Sequence, residues 1–269
     1  MTIHEGSSQA LSVEDRYPRL KEAPSASRPK VVVFIPDGNI RWANGLGIKD
    51  TIEGHRAGAR KMFGALELIT TIPEVETVMT WGYSHDNWSR PNQEIRGIMR
   101  VLEETTKRAL PIFHENKIRF KRLGRPEKIR AQFGSLWRTL EVAERETEQY
   151  TDRRFGLLLD FNGDDQELRM AQQLSNMIRQ NPSLLVTEDL WNSLRDGWAE
   201  GFRPADLVIR TSGEMRTSGL GWPGDRAEFV SIEANLPDMT NEHVVETLVE
   251  YSQRDRRFGG RPTSLIHPI

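Results

Sequence analysis

A chain of 269 residues would expose roughly 12,000 Å² folded against roughly 45,000 Å² extended, so it can bury a sizeable core as one domain or two small ones. Its 37 basic and 39 acidic residues leave a net charge of -2, without the basic excess of a nucleic-acid coat, so no nucleic-acid partner is expected, although a local anion site stays open. The lack of cysteine excludes disulfides, thiolate metal sites and cysteine nucleophiles together.

No window approaches the roughly 20 apolar residues of a spanning helix, and residues 1–30 carry Glu5, Glu14 and Asp15 rather than a signal-like apolar run. A cytoplasmic protein with no transmembrane segment is expected, its polar leader flexible. At residues 31–35 a continuous apolar run, Val31 to Ile35, reads as a strand buried on both faces. From Gly54 a helical pattern follows, with Met62, Ala65, Leu66 and Ile69 on one stripe, ended by Pro73. Residues 75–81 read as a second strand. Residues 92–116 read as a long helix behind Pro91, with Ile95, Ile98, Met99 and Leu102 as its core stripe and a bend at Pro111. A third strand is expected at 118–123, one amphipathic helix at 126–148 and a fourth strand at 155–159. Helix at 168–178, strands at 207–209 and 229–232, and a last helix bearing Val244, Val245, Leu248 and Tyr251 complete the chain. This alternation predicts an α/β fold: a mostly parallel central sheet of about six strands flanked by helices, in one domain at 31–260 with a tail at 261–269.

Ligands of such sheets lie beyond the carboxyl ends of the strands. Three loops there combine turn formers with charged or hydroxyl groups: residues 37–43, 84–91 and 210–218. In the first, Asp37 could hold Mg²⁺, while Arg41 and the amides after Gly38 could hold a phosphate; an Asp-Gly turn capped by Asn39 reads equally well. In the third, Arg210, Arg216 and Ser218 could surround a diphosphate, or simply lie exposed. Arg254, Arg256 and Arg257 before Phe258-Gly259-Gly260 form a further basic cluster, either a solvated helix end or an anion contact. Neither Gly-x-x-x-x-Gly-Lys-Ser/Thr nor Gly-x-Gly-x-x-Gly follows the first strand. His85-Asp86 lacks the companions of a zinc site, and Ser84 lacks a partnered base for covalent catalysis. Trp42, Trp81, Tyr83 and Trp88 could line an apolar cavity or pack in the core.

Taken in order, these loops and Arg256-Arg257-Phe258-Gly259-Gly260 resemble the cis-prenyltransferases, the undecaprenyl diphosphate synthase family, over about residues 31–260. The resemblance implies a mostly parallel sheet, a homodimer, and Mg²⁺-dependent condensation of an allylic diphosphate with isopentenyl diphosphate. The family's Asp-Gly-Asn-Gly-Arg-Trp-Ala is matched by Asp37, Gly38, Asn39, Arg41, Trp42 and Ala43. Asp37 would then hold Mg²⁺ and Asn39, Arg41 and nearby amides the allylic diphosphate, with His55 as the family's histidine after glycine. The segment resembling Phe-Ser-x-Glu-Asn-Trp-x-Arg-Pro supplies Ser84, Asn87 and Arg90, with Asn87 positioning the condensing partner. Arg210, Arg216 and Ser218 resemble the acceptor diphosphate site. Glu228 resembles the carboxylate completing the Mg²⁺ environment across the dimer, and Arg256, Arg257 and Gly259 a segment reaching the other subunit's site.

Departures cluster on the donor side. Ile40 stands in place of a glycine in the phosphate loop, no arginine follows Gly47 unless Lys49 serves, Ser212 replaces another glycine, and Phe161-Asn162-Gly163-Asp164-Asp165 replaces Asn-Tyr-Gly-Gly-Arg. Gly221-Trp222-Pro223-Gly224 also replaces a bulkier apolar stretch. The expectation is a specialised synthase joining dimethylallyl or geranyl diphosphate to isopentenyl or dimethylallyl diphosphate, with a short and conceivably branched product. It would resemble the cyclolavandulyl and isosesquilavandulyl diphosphate synthases. The alternatives are a regular medium- or long-chain cis-polyprenyl diphosphate synthase and a catalytically weak partner subunit.

Overall fold

A computed structural model describes residues 11–198 and 201–256. Six strands, β1 (Val31–Ile35), β2 (Thr77–Ser84), β3 (Ile118–Leu123), β4 (Arg153–Phe161), β5 (Leu207–Thr211) and β6 (Glu228–Ile232), form one sheet in the order β3-β4-β2-β1-β5-β6. Every pairing is parallel. The uninterrupted apolar runs of β1 and β5 follow from this, because a central parallel strand is covered on both faces and has no polar side to alternate with.

In chain order the helices are α1 (Val13–Arg16), α2 (Asn39–Gly45), α3 (Thr51–Thr70), α4 (Asn92–Glu115), α5 (Glu127–Gln132), α6 (Gly134–Glu146), α7 (Gly163–Gln180), α8 (Glu188–Trp198) and α9 (Asn241–Ser252). One face of the sheet packs against α3, α4, α6 and α9 in the larger core. The other packs Val31, Val33, Met79 and Trp81 against Phe202, Leu220 and Trp222. Among the described residues, no helix is long and apolar enough to cross a membrane.

Several boundaries differ from expectation. Asp50 caps α3 by accepting from the Ile52 N–H at 3.0 Å, which starts the helix three residues before Gly54. Helix α4, with Pro111 inside it, ends at Glu115, one residue short of the expected 116. The single helix expected at 126–148 is two, because Phe133 leaves helical backbone at φ -130°, ψ 56°. Helix α8 was not anticipated; its apolar signal rests on few positions, and Trp191 among them is partly exposed. Of the leader expected to be flexible, residues 11–30 are folded onto the domain. Leu20 and Ala23 are fully buried, and the buried Arg28 donates to their carbonyls and pairs with Glu14 and Glu74.

Candidate active site

Strand order turns outward in both directions from β1, so β1 and β5 flank a switch point, and the crevice there opens at their carboxyl ends. The loops leaving these two strands are tied by backbone. The Asp37 N–H donates to Thr211 Oγ1 at 2.7 Å, the Thr211 hydroxyl donates to the Asp37 carbonyl at 2.7 Å, and the Leu236 N–H reaches the same carbonyl at 3.0 Å. Gly38 adopts φ 94° ahead of α2, and a Cβ there would lie 2.3 Å from Asn235 Oδ1 and 2.7 Å from Ser212 Oγ. Both the backbone and the available space demand glycine. Ser212 has φ 76°, a conformation that suits the glycine it replaces; its hydroxyl donates to Asn235 Oδ1 at 2.7 Å and helps hold it there.

Charges alternate across the crevice. Arg210, nearly fully buried, donates to Asp37 Oδ2 at 2.7 Å, to Ser218 Oγ at 2.8 Å and to the Arg216 carbonyl. Arg41 donates to Asp37 Oδ1 at 3.0 Å and to Glu214 Oε1 at 2.7 Å, and Glu214 Oε2 pairs with Arg216. Burial works to raise the Asp37 pKa, but hydrogen bonds from Arg210 and the Gly38 N–H, with the charges of Arg210 and Arg41, outweigh it and hold the carboxyl below its usual range. Asp37, Arg41, Arg210, Arg216 and Ser218, chosen from separate loops, are thus brought together.

His55 joins from α3. Its Nδ1 lies 3.4 Å from Asn39 Nδ2 and its Nε2 3.8 Å from Glu94 Oε1, which accepts from Arg90 at 2.9 Å. Burial, reinforced by the Arg90 charge, pushes the ring pKa down to about 4, so the imidazole is neutral at pH 7. Asn87 accepts the Ser84 N–H on its Oδ1 at 3.1 Å, and Ser84, Asn87 and Arg90 edge the mouth of a cavity.

That cavity, about 290 Å³, runs from Asp37, Arg210 and Ser218 under α3 and α4 to Phe113, Phe120 and Phe155. The three rings pack with centroids 5.2 to 6.1 Å apart. Phe155 is level with Val78, and Val78 with Val32, three residues before the end of β1, so the cavity extends from the carboxyl ends of the strands back across the sheet face. A bulge at Gly82, where the register with β4 shifts, turns Tyr83 onto this face. Tyr83 lines the cavity, whereas the Trp81 ring packs in the core of the opposite face, edge-on to Phe161 at 6.0 Å. Trp88 instead packs edge-on against Tyr83, and Trp42 donates its ring N–H to Asp238 at 2.8 Å. Ile98 and Leu102, expected as core, contribute to the cavity wall. Ile40 is half-buried in the first turn of α2.

Two expected site residues lie elsewhere in the chain. Glu228 begins β6 opposite Leu207, at the amino end of the sheet, and pairs with Arg254 at 3.0 Å. Arg256 pairs with Asp206 at 2.8 Å and donates to the Tyr251 hydroxyl at 2.8 Å, also at that end. Within one chain neither shares the crevice of Asp37. Arg257, Phe258, Gly259 and Gly260 lie outside the described residues.

The sequence profile of the undecaprenyl diphosphate synthase family matches residues 35–259, taking in both loops and the cavity. The chain belongs to this family. It is 32% identical over 233 residues to an isoprenyl transferase of Fusobacterium nucleatum, across 86% of this chain and 96% of that one. It is 30% identical over 247 residues to dehydrodolichyl diphosphate synthase 4 of Arabidopsis thaliana, across 90% and 83%. Its fold matches that of lavandulyl diphosphate synthase from Lavandula x intermedia, solved with dimethylallyl diphosphate, at TM-score 0.78 and 21% identity, across 87% and 99%. This cis-prenyltransferase performs the condensation of an allylic with an isoprenoid diphosphate.

Family membership suggests Mg²⁺. Among the described residues no cage of three or more acidic or histidine side chains exists. The crevice carboxylate set between the two loops is Asp37, its pKa lowered, partly exposed beside Arg41 and Arg210. That fits Mg²⁺ held by one carboxylate, with substrate phosphate oxygens and water supplying its remaining ligands. Sequence reasoning gave no role to Glu94, Glu214 or Asn235. Only Glu94 carried a local signal, lying four residues after Arg90 at the start of α4.

Proposed function

We propose that this cis-prenyltransferase joins an allylic diphosphate head to tail with isopentenyl diphosphate, as a regular cis-prenyl diphosphate synthase. The observation that carries the reading is Asp37 held between Arg41 and Arg210 at the mouth of a cavity whose far end is walled by phenylalanines. A diphosphate at the mouth meets the guanidiniums, and its hydrocarbon tail enters the cavity and leaves water. Arg41 and Asn39 bind the donor diphosphate; Arg210, Arg216 and Ser218 bind that of the acceptor. Asp37 would hold Mg²⁺, which when bound would supply positive charge favouring departure of the donor's diphosphate. As the C1–O bond of the donor breaks, negative charge collects on oxygens facing Arg41, and the acceptor alkene forms the new C–C bond to C1. The proton then lost from the acceptor passes to diphosphate oxygen. Asn87, whose amide is no base at neutral pH, orients the acceptor, and neutral His55 holds Asn39 in place.

Chain extension is favoured over the branched coupling weighed beside it earlier because isoprenyl transferases and dehydrodolichyl diphosphate synthases recur among the relatives. A short product is the second reading, favoured by the phenylalanine cluster at the far end of the cavity. The exposed apolar side chains Leu168, Leu185, Val186 and Trp191 on and between α7 and α8 support a homodimer.

The test supplies purified protein and Mg²⁺ with dimethylallyl, geranyl and isopentenyl diphosphates in every pair, reading products by mass spectrometry and NMR. Linear products containing isopentenyl units are expected, with turnover lowered on the order of a hundred-fold in Asp37→Asn and Arg216→Ala. A branched skeleton from dimethylallyl diphosphate alone would overturn the head-to-tail reading. Full diphosphate release by both variants would overturn the site, and inactivity of the pure wild-type protein would favour a partner-subunit role.

A further inference from the structure

Five side chains form a single alternating line across the crevice: Arg210, Asp37, Arg41, Glu214, Arg216. Asp37 joins an arginine of the acceptor loop to one of the donor loop. Glu214 does the same at the other end, taking Arg41 on Oε1 at 2.7 Å and Arg216 on Oε2. The line therefore gives each of Arg41 and Arg216 a fixed carboxylate where a substrate diphosphate would bind.

The position of Glu214 is set by the fold. Ser212 and Gly213 ahead of it adopt left-handed conformations, φ 76° and 67°. The Ser212 N–H donates to the Ala234 carbonyl at 2.8 Å and the Gly213 N–H to the Ile232 carbonyl at 3.0 Å, which pins the turn to the end of β6. The carboxylate itself is held by Arg41 and Arg216, whose hydrogen bonds keep its pKa below the usual glutamate range.

We infer that Glu214 is a positioning residue that acts as an internal counter-anion, competing with diphosphate for Arg41 and Arg216 and coupling the two substrate sites. The inference rests on the donor and acceptor assignment above and adds a member to it. A diphosphate arriving at Arg41 takes a guanidinium edge from Glu214 and repels the carboxylate, which leaves the crevice and frees Arg216. The first substrate bears the cost of displacing Glu214, and the second meets an unopposed arginine. A diphosphate, with its several charges, displaces a fixed carboxylate more readily than inorganic phosphate does.

The experiment is calorimetric titration of the full-length wild type, Glu214→Gln, Arg41→Ala and Arg216→Ala with inorganic diphosphate and with inorganic phosphate, alongside steady-state kinetics. Glutamine keeps the length of the side chain and removes its charge, and thermal unfolding checks that the variant folds. Glu214→Gln should bind diphosphate about two- to ten-fold more tightly, and the wild type's preference for diphosphate over phosphate should narrow. In the wild type the apparent KM for isopentenyl diphosphate should fall as donor concentration rises; in Glu214→Gln it should not. Unchanged or weaker diphosphate binding in Glu214→Gln, with both arginine variants impaired, would overturn the inference and leave the site reading standing. Diphosphate binding that is absent from the wild type or untouched by both arginine variants would overturn the site reading and the inference with it.

Discussion

His55 shows how burial changes what a side chain can do. Its ring is neutral in the folded protein because burial, with the Arg90 charge adding to it, pushes the pKa from 6.5 to about 4. As pH falls, the unfolded chain takes up this proton first. The stability contributed by the neutral ring is therefore complete above about pH 6.5 and lost progressively as pH falls to about 4, a difference of about 3 kcal/mol. Denaturant unfolding at pH 7 and pH 4.5 should show most of this loss in the wild type and its absence in His55→Gln; identical pH dependence in both would contradict the account. Individual residues of the crevice were legible because Asp37, Arg41, Arg210, Arg216 and Ser218 sit in polar loops next to apolar strands. Their pairings were not. Arg41 and Glu214 are 173 positions apart, and His55 meets Glu94 from a different helix. No local spacing encodes contacts that only the packing of α2, α3 and α4 around the switch point creates.

At the scale of elements, α4 forms both core and cavity wall. Ile95 and Met99 pack in the core, while Leu102, Thr105 and Ala109 reach the cavity. Ala109→Leu should place three more carbons in that space, raise stability by about 1–2 kcal/mol through added apolar burial, and shift products to shorter chains. Product mass and denaturant unfolding report the two effects; an unchanged chain-length distribution would show that the hydrocarbon does not occupy this part of the cavity. The helix was legible from its periodicity and Pro91, but periodicity does not distinguish a stripe that meets other side chains from one that meets a cavity. The same limit applies elsewhere. Continuous apolar runs disclosed β1 and β5, whereas the strand order, with β4 inserted between β3 and β2, depends on which crossovers pack best. The division of α5 from α6 rests on the backbone of Phe133 alone, in a stretch whose amphipathic pattern continues through the break. The bulge that aims Tyr83 into the cavity is a register shift against β4, which becomes defined only when the two strands pair.

For the whole molecule, the distribution of charge and apolar surface bears on how two copies would complete a site. Asp37 lies beyond the carboxyl end of β1, while Glu228 starts β6 at the opposite end and is neutralised by Arg254. A single chain cannot bring these two carboxylates to one metal. The exposed Leu168, Leu185, Val186 and Trp191 on and between α7 and α8 are apolar surface that a second copy would cover. If that copy supplies Glu228 to the crevice of Asp37, activity belongs to the pair and can be reconstructed from two defective chains. Asp37→Asn and Glu228→Ala homodimers should each be nearly inactive. Unfolding and refolding them together should yield hybrid dimers in which one crevice has Asp37 from one chain and Glu228 from the other. Random reassociation makes about half of the dimers hybrids, so about a quarter of all crevices should be intact and activity should recover to about that fraction. A Glu228→Ala homodimer with full activity would remove Glu228 from the site. Two inactive homodimers that regain nothing on mixing would show that Glu228 acts within its own chain, by holding Arg254 at the amino end of the sheet.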